Sequence, residues 1–171
     1  MIFKNLTKED VEKVRKWRNE CLYALRTPFL LTEEMQQDFY KNVVCNRNAN
    51  SKYWGLAYNS ESVLIGMSGI ENIEWVNRRG EISIIINPEH HGTGIGSYAF
   101  KMLLDKCFNE LNLNNIWGEC YSCNPATAFW KKQIVKYNGQ SFLMPNAKFW
   151  NGKYYDSLYF NFNREDFIKC Q

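Results

Sequence analysis

EISIIINPEHHGTGIGSYA, residues Glu81 to Ala99, decides how this chain is read. Ile82, Ser83, Ile84, Ile85 and Ile86 are rich in β-branched carbon, which favours a buried strand. Asn87-Pro88 ends that strand, because proline has no amide proton to give to a ladder. Gly92, Gly94 and Gly96 then clear side chains from the backbone, and SYAFKMLLDKCF from Ser97 onward has a helical pattern. Glycines let backbone amides point into a concavity, and a helix start adds roughly half a unit of positive charge. Such a segment is suited to hold phosphate. The plain alternative is a glycine-rich loop that only turns the chain.

Three phosphate loops compete for these residues. A P-loop requires Gly-x-x-x-x-Gly-Lys-Ser/Thr, and the lysine is absent. Gly94-Ile95-Gly96-Ser97-Tyr98-Ala99 matches a dinucleotide-binding turn, but Pro88 to Gly92 separate it from the strand. Only about seventy residues follow, too few for the second half of that fold. The third pattern is the pyrophosphate loop of coenzyme A enzymes, Gln/Arg-x-x-Gly-x-Gly/Ala. His91-Gly92-Thr93-Gly94-Ile95-Gly96 fits it, with His91 in the first place.

On these residues the chain resembles the GNAT superfamily of acyl-CoA-dependent N-acetyltransferases. IINPEHHGTGIGSYAFKMLLDKCF resembles that family's strand, acetyl-CoA loop and following helix. NLNNIWGECYSCNPATAFWKK resembles its next strand and asparagine-started helix. GMSGIENIEWVNRRGEISI and the VRKWRNE and LTEEMQQDFY stretches resemble the branch of ribosomal-protein N-terminal, spermidine and amino-sugar acetyltransferases. Together they span most of the chain. The resemblance implies an α/β (mixed α+β) fold in a single domain over 1–171. Its sheet would be mixed, mostly antiparallel and about seven-stranded, with helices on both faces, in the order β-α-α-β-β-β-α-β-α-β-β.

It also implies a chemistry. An amine attacks the thioester of acetyl-CoA directly, and a thiolate leaves. An alkylamine of pKa ~10.4 is only about one part in a thousand neutral at physiological pH, so a base is useful. Glu81 is the first candidate, with Glu71 and Glu74 in reserve; the plain reading is a strand-end carboxylate paired with Arg78 or Arg79. The donor site would include Ile84, Ile85 and Ile86, the loop residues His91, Gly92, Thr93, Gly94, Ile95, Gly96 and Ser97, and Asn124, Trp130 and Lys131. Asn124 reads equally as a simple helix cap. Many family members carry a tyrosine acid seven residues after that asparagine; the spacing here lands on Lys131, with Trp130 beside it. Thiolate protonation then falls to water or to Tyr121. Arg18, Asn19, Glu74 and Trp75, with Arg26 and Tyr40, lie in segments that surround the acceptor mouth in similar enzymes. The acceptor is a small amine, such as an amino-sugar nucleotide or polyamine, or a protein N-terminus. Glu20, Glu33, Glu34 and Asp38 would suit a polyamine but equally make a solvated helix face. Absence of the tyrosine keeps open a non-catalytic acyl-CoA-binding module.

Composition is compatible with this. The chain has 171 residues, 45% of them hydrophobic and 23% charged, as in a globular protein with a real core. A formal charge of +3 without a basic run gives no case for nucleic acid. MIFKNLTKED has no apolar leader, and no stretch is long enough to cross a bilayer, so a cytoplasmic protein without membrane contact is expected. A homodimer is an open expectation. Six cysteines in such a chain read as free thiols; Cys120 and Cys123 form a lone CxxC without the further ligands of a zinc site, and no metal is expected.

The remaining elements follow from local signals. A strand is expected at 2–6, then a helix over 8–19 capped by Thr7, and another from Thr32 to Val44. Tyr53–Asn59 and Val63–Ile70 read as a hairpin about Asn59-Ser60-Glu61-Ser62. A helix is expected at 94–111, a strand at 116–121 and a short helix from Asn124-Pro125 to Gln133. Val135–Leu143 and Tyr154–Phe162 read as a final antiparallel pair across Asn151-Gly152.

Overall fold

The computed structural model describes residues 1–59 and 62–170. One seven-stranded sheet runs in the order β1-β2-β3-β4-β5-β7-β6. Its strands are β1 (Ile2–Lys4), β2 (Lys52–Ala57), β3 (Gly66–Glu74), β4 (Arg79–Ile86), β5 (Asn115–Tyr121), β6 (Gln140–Trp150) and β7 (Lys153–Asn163). Every pairing is antiparallel except β4 with β5. Helices α1 (Lys8–Glu20) and α2 (Glu33–Phe39) cover one face; α3 (Ile95–Asp105), α4 (Thr127–Lys136) and α5 (Arg164–Lys169) cover the other. This is the mixed, mostly antiparallel architecture that the resemblance implies.

The helix starts are encoded locally. Thr7 Oγ1 accepts the Asp10 amide at 3.2 Å while the Asp10 carboxylate accepts the Thr7 amide at 3.1 Å, a reciprocal cap on α1. Val11 and Val14 then face inward, fully buried. Thr32 caps α2 through the Met35 amide, and α2 widens into a π turn over Tyr40–Val44. Gln36, buried, donates to the Val11 carbonyl at 2.8 Å and ties α2 to α1. Gly94, at φ 87°, caps α3 in the left-handed region. On the α3 face, Phe100 meets Trp130, Tyr137 and Phe162 at ring distances of 5.4, 5.6 and 5.0 Å. Each such buried aromatic contributes about 1.5–3 kcal/mol by removal from water.

Three boundaries differ from expectation. β1 is shorter, because Leu6 leaves the strand to enter the core under α1. The β2–β3 hairpin sits later, with Gly66 pairing Leu56; the expected turn includes Ser60 and Glu61, which lie outside the described residues. The segment from Val135 is not yet strand. Ile134 and Tyr137 continue the inward stripe of α4, and the helix ends where Asn138 takes φ 50° before Gly139, so β6 starts at Gln140.

Candidate active site

The parallel pairing of β4 with β5 is brief. Arg79 pairs Asn115, Gly80 pairs Ile116 and Glu81 pairs Trp117, and there the ladder stops. β4 runs on to Ile86 and β5 to Tyr121, so the two strands diverge. A cleft of about 580 Å³ lies beyond that point, beside the free end of β4, and neither Glu81 nor any β5 residue lines it. Ser83 to Ile86 form one wall, and Ala126, just before α4, with Phe129, Trp130 and Gln133 of α4, forms the other. His91, Gly92, Gly94, Gly96 and Ser97 close its far end. A strand rise of about 3.3 Å per residue puts Glu81 roughly 16 Å along β4 from that end.

The loop has the form that its glycines demand. Gly92 and Gly94 take φ of 77° and 87°, where a side chain is strained, and a Cβ at either would meet open space. Thr93 Oγ1 donates to the His90 carbonyl at 2.7 Å, and His91 Nε2 lies 3.1 Å from the Ile86 carbonyl. These bonds pin the loop to the end of β4. The first turn of a helix leaves amides without helical partners; here the Ser97 amide is met by the Gly94 carbonyl at 3.1 Å. Ile95, by contrast, sends its side chain into the core beside Leu56 and Ala99.

On the α1 face of the seam, strand alternation aligns Glu81, Ser83 and Ile85 with Trp117, Glu119 and Tyr121. The Glu81 and Glu119 side chains are only 5% and 7% exposed. One guanidinium joins them: Arg26 Nη2 pairs with Glu81, and Arg26 Nε lies 2.8 Å from Glu119 Oε2. Asn72 Nδ2 donates to Glu81 at 3.2 Å, and Ser157 Oγ donates to Glu119 at 2.8 Å. Glu81 therefore pairs with neither Arg78 nor Arg79. Arg26 stands at the end of a strap, Cys21–Arg26, held over the seam by three further bonds. Cys123 Sγ donates to the Tyr23 carbonyl at 3.2 Å, Asn124 Nδ2 to the Ala24 carbonyl at 3.3 Å, and Lys148 Nζ to the Leu25 carbonyl. Burial lowers the Lys148 ammonium from its ordinary range.

Several residues singled out by sequence take other places. Asn19 is engaged in two bonds to the Leu31 backbone, at 3.0 and 2.9 Å, and anchors the segment before α2. Glu74 is bound to Arg79 and Asn77, which hold its carboxyl below the usual range. Trp75 is half exposed in the turn after β3 and donates to Asn50 at 3.2 Å. Lys131 points to solvent, because the cleft-facing stripe of α4 runs through Phe129, Trp130 and Gln133. Trp130 lines the cleft but also stacks on Phe160 at 4.5 Å. Asn124 lines the cleft, yet both ends of its amide are engaged, by Ala24 and by the Ala126 amide at 2.8 Å. Tyr121 lies under the Lys148 ammonium, outside the cleft lining; burial and then Glu119 push its hydroxyl up. Arg18 does line the cleft, and its buried Nε has no partner among the described residues.

Glu119, Ser157 and Gln133 were not foreseen. The available signal for Glu119 was the alternation in NIWGECY, which puts Trp117, Glu119 and Tyr121 on one face. Nothing local announces its partners, because Arg26 and Ser157 lie 93 and 38 residues away. Among the described residues no group of three or more His, Cys, Asp or Glu could hold a metal ion. No helix among them is long and apolar enough to cross a membrane.

A sheet that parts between its two parallel strands, beside a glycine loop and a helix start, is the fold of an acyl-CoA-dependent transferase. The acetyltransferase (GNAT) domain model matches residues 1–129, and the chain belongs to that family. A spermidine N(1)-acetyltransferase of Vibrio cholerae is 27% identical over 143 residues, 81% of this chain and 77% of the relative. A putative ribosomal N-acetyltransferase of Bacillus subtilis is 39% identical over 62 residues, 36% of this chain and 33% of the relative. The fold matches the crystal structure of spermidine N-acetyltransferase from Vibrio cholerae in complex with CoA and spermine. The TM-score is 0.83 at 19% identity, over 98% of this chain and 97% of that one. The protein is an acetyl-CoA-dependent N-acetyltransferase, moving an acetyl group to an amine.

Proposed function

We propose that the acceptor is a polyamine-like small molecule, acetylated on a primary amine at the seam between β4 and β5. The observation that carries this reading is the pair of buried carboxylates, Glu81 and Glu119, which one guanidinium joins on the α1 face of the seam. The 27% identical relative named for spermidine supports the same class. In this reading the acyl donor lies along Ser83–Ile86 with its diphosphate on the Gly92–Ser97 loop. Glu81 takes the ammonium proton, directly or through water, and a β4 amide faces the developing oxyanion. The departing thiolate takes its proton from water, since burial and Glu119 push the Tyr121 hydroxyl up and make it a poorer acid. Glu119 holds a second ammonium of the acceptor, and Arg26 swings aside to admit it.

Arg18 favours a second reading. Its unpaired Nε beside the cleft suits an acceptor with anionic oxygen, such as an amino-sugar nucleotide, or the carbonyls of a protein N-terminus. A thiol-release assay with a polyamine, an amino-sugar nucleotide and a peptide with a free N-terminus decides between them. The polyamine is expected to give kcat/KM at least about tenfold above the others, a margin of roughly 1.4 kcal/mol in transition-state binding. A faster nucleotide or peptide replaces the first reading with the second.

A further inference from the structure

Gln133 occupies a position that the helix pattern reserves for an apolar side chain. Trp130, Gln133, Ile134 and Tyr137 form the inward stripe of α4, and Gln133 is only 4% exposed. Its Oε1 has no partner among the described residues, so a leucine would satisfy the packing better. Its Nε2, however, donates to Ser97 Oγ at 3.0 Å. Ser97 is in the first turn of α3, at the end of the cleft where the glycine loop lies.

We propose that Gln133 is a positioning residue for the acyl donor: it turns the Ser97 hydroxyl proton into the cleft and holds the two helices that flank it in register. A serine hydroxyl has one proton and two lone pairs. With one lone pair engaged by Gln133 Nε2, the proton turns away from α4, toward the cleft. There it meets the diphosphate of acetyl-CoA and makes a charge-assisted bond. Without the amide, the hydroxyl is free to turn back onto the Thr93 or Gly94 carbonyl just before the helix, as serines in helices do. The unmatched Oε1 is then the structural cost of fixing Nε2 on Ser97. This rests on the reading that the Gly92–Ser97 loop receives the diphosphate.

The test is a double-mutant cycle read by calorimetric titration with CoA, with thermal melting of each variant. Gln133→Leu and Ser97→Ala are each expected to weaken CoA binding about tenfold, with melting temperature unchanged or raised for Gln133→Leu. The double variant is expected to bind no worse than Ser97→Ala alone, because Gln133 acts through that hydroxyl. Multiplying losses, or undiminished affinity in Gln133→Leu, would overturn the proposal. Gly94→Val, titrated beside them, tests the loop separately. If it binds CoA as the parent does, the loop reading falls; if it loses CoA while Gln133→Leu does not, only the role of Gln133 falls.

Discussion

Arg26 ion-pairs with Glu81 at the point where strands β4 and β5 part company. The same guanidinium reaches Glu119 across the seam, and it lies 5.9 Å from the ring centre of Trp117. The candidate base is thus covered by a cation from a segment 55 residues earlier. Arg26 is half exposed while both carboxylates are buried, which makes it the movable member of the trio.

Arg26→Met is expected to lower stability by ~1–3 kcal/mol, because two buried carboxylates lose a shared charged donor. The arginine faces water on one side, which screens its pairing and limits the loss. Denaturant unfolding of Arg26→Met, Glu119→Gln and the double variant measures the coupling. Additive losses would mean that Arg26 and Glu119 are not coupled.

Glu81→Gln keeps shape and removes basicity. Turnover is expected to fall about tenfold or more with little change in acetyl-CoA affinity, since the carboxylate lies well away from the glycine loop. The deficit should shrink at high pH, where more acceptor is already neutral. Glu119→Gln is expected to raise KM for a polyamine several-fold with kcat largely kept. Steady-state kinetics against pH separates the two roles; a Glu81→Gln profile parallel to the parent's at every pH would move the base elsewhere.

Local signals explain what was legible before the fold was seen. The isoleucine strand, Asn87-Pro88, the glycines and the helix start are all written within about twenty residues, so the loop could be placed from sequence. Thr7 and Thr32 marked their helices for the same reason. Asn19 looked like an acceptor residue because nothing nearby in sequence shows that Leu31 folds back onto it. Glu119 and its arginine are joined only by tertiary structure. β6 starts at Gln140 rather than Val135 because Ile134 and Val135 suit either strand or helix, and the packing of Tyr137 against Phe100 favours helix.

Gly94→Val is expected to remove detectable acetyl-CoA binding while leaving the melting curve nearly native. Gly94 sits at φ 87°, which a β-branched residue resists, yet its Cβ would touch no protein atom within 4 Å. The damage therefore falls on loop geometry and on the space that the proposed diphosphate would take rather than on the core. Losing two charge-assisted amide bonds at roughly 1.5–3 kcal/mol each amounts to at least about two orders of magnitude in affinity. Circular dichroism with a parallel titration measures both; native melting with parental affinity would leave the glycines serving the turn alone.

Cys107 gives the chain an alkaline weakness that can be removed. It is fully buried, and desolvation pushes its thiol up to about 12. The unfolded thiol ionises near 8.5. A folded value above the unfolded one means that this contribution to stability is whole below about pH 8.5. It is lost progressively as pH rises from there toward 12, at up to about 1.4 kcal/mol per pH unit. Cys107→Val fills similar space without a titrating group. Its stability curve is expected to fall less steeply than the parent's, by about 1–2 kcal/mol at pH 10 relative to pH 8. Urea unfolding at both pH values gives the difference directly, and parallel curves would show that the thiol does not ionise on unfolding in that range. The same burial predicts that, in the native protein, the exposed Cys45 and Cys170 react with a thiol reagent at pH 8 and Cys107 reacts only after denaturation.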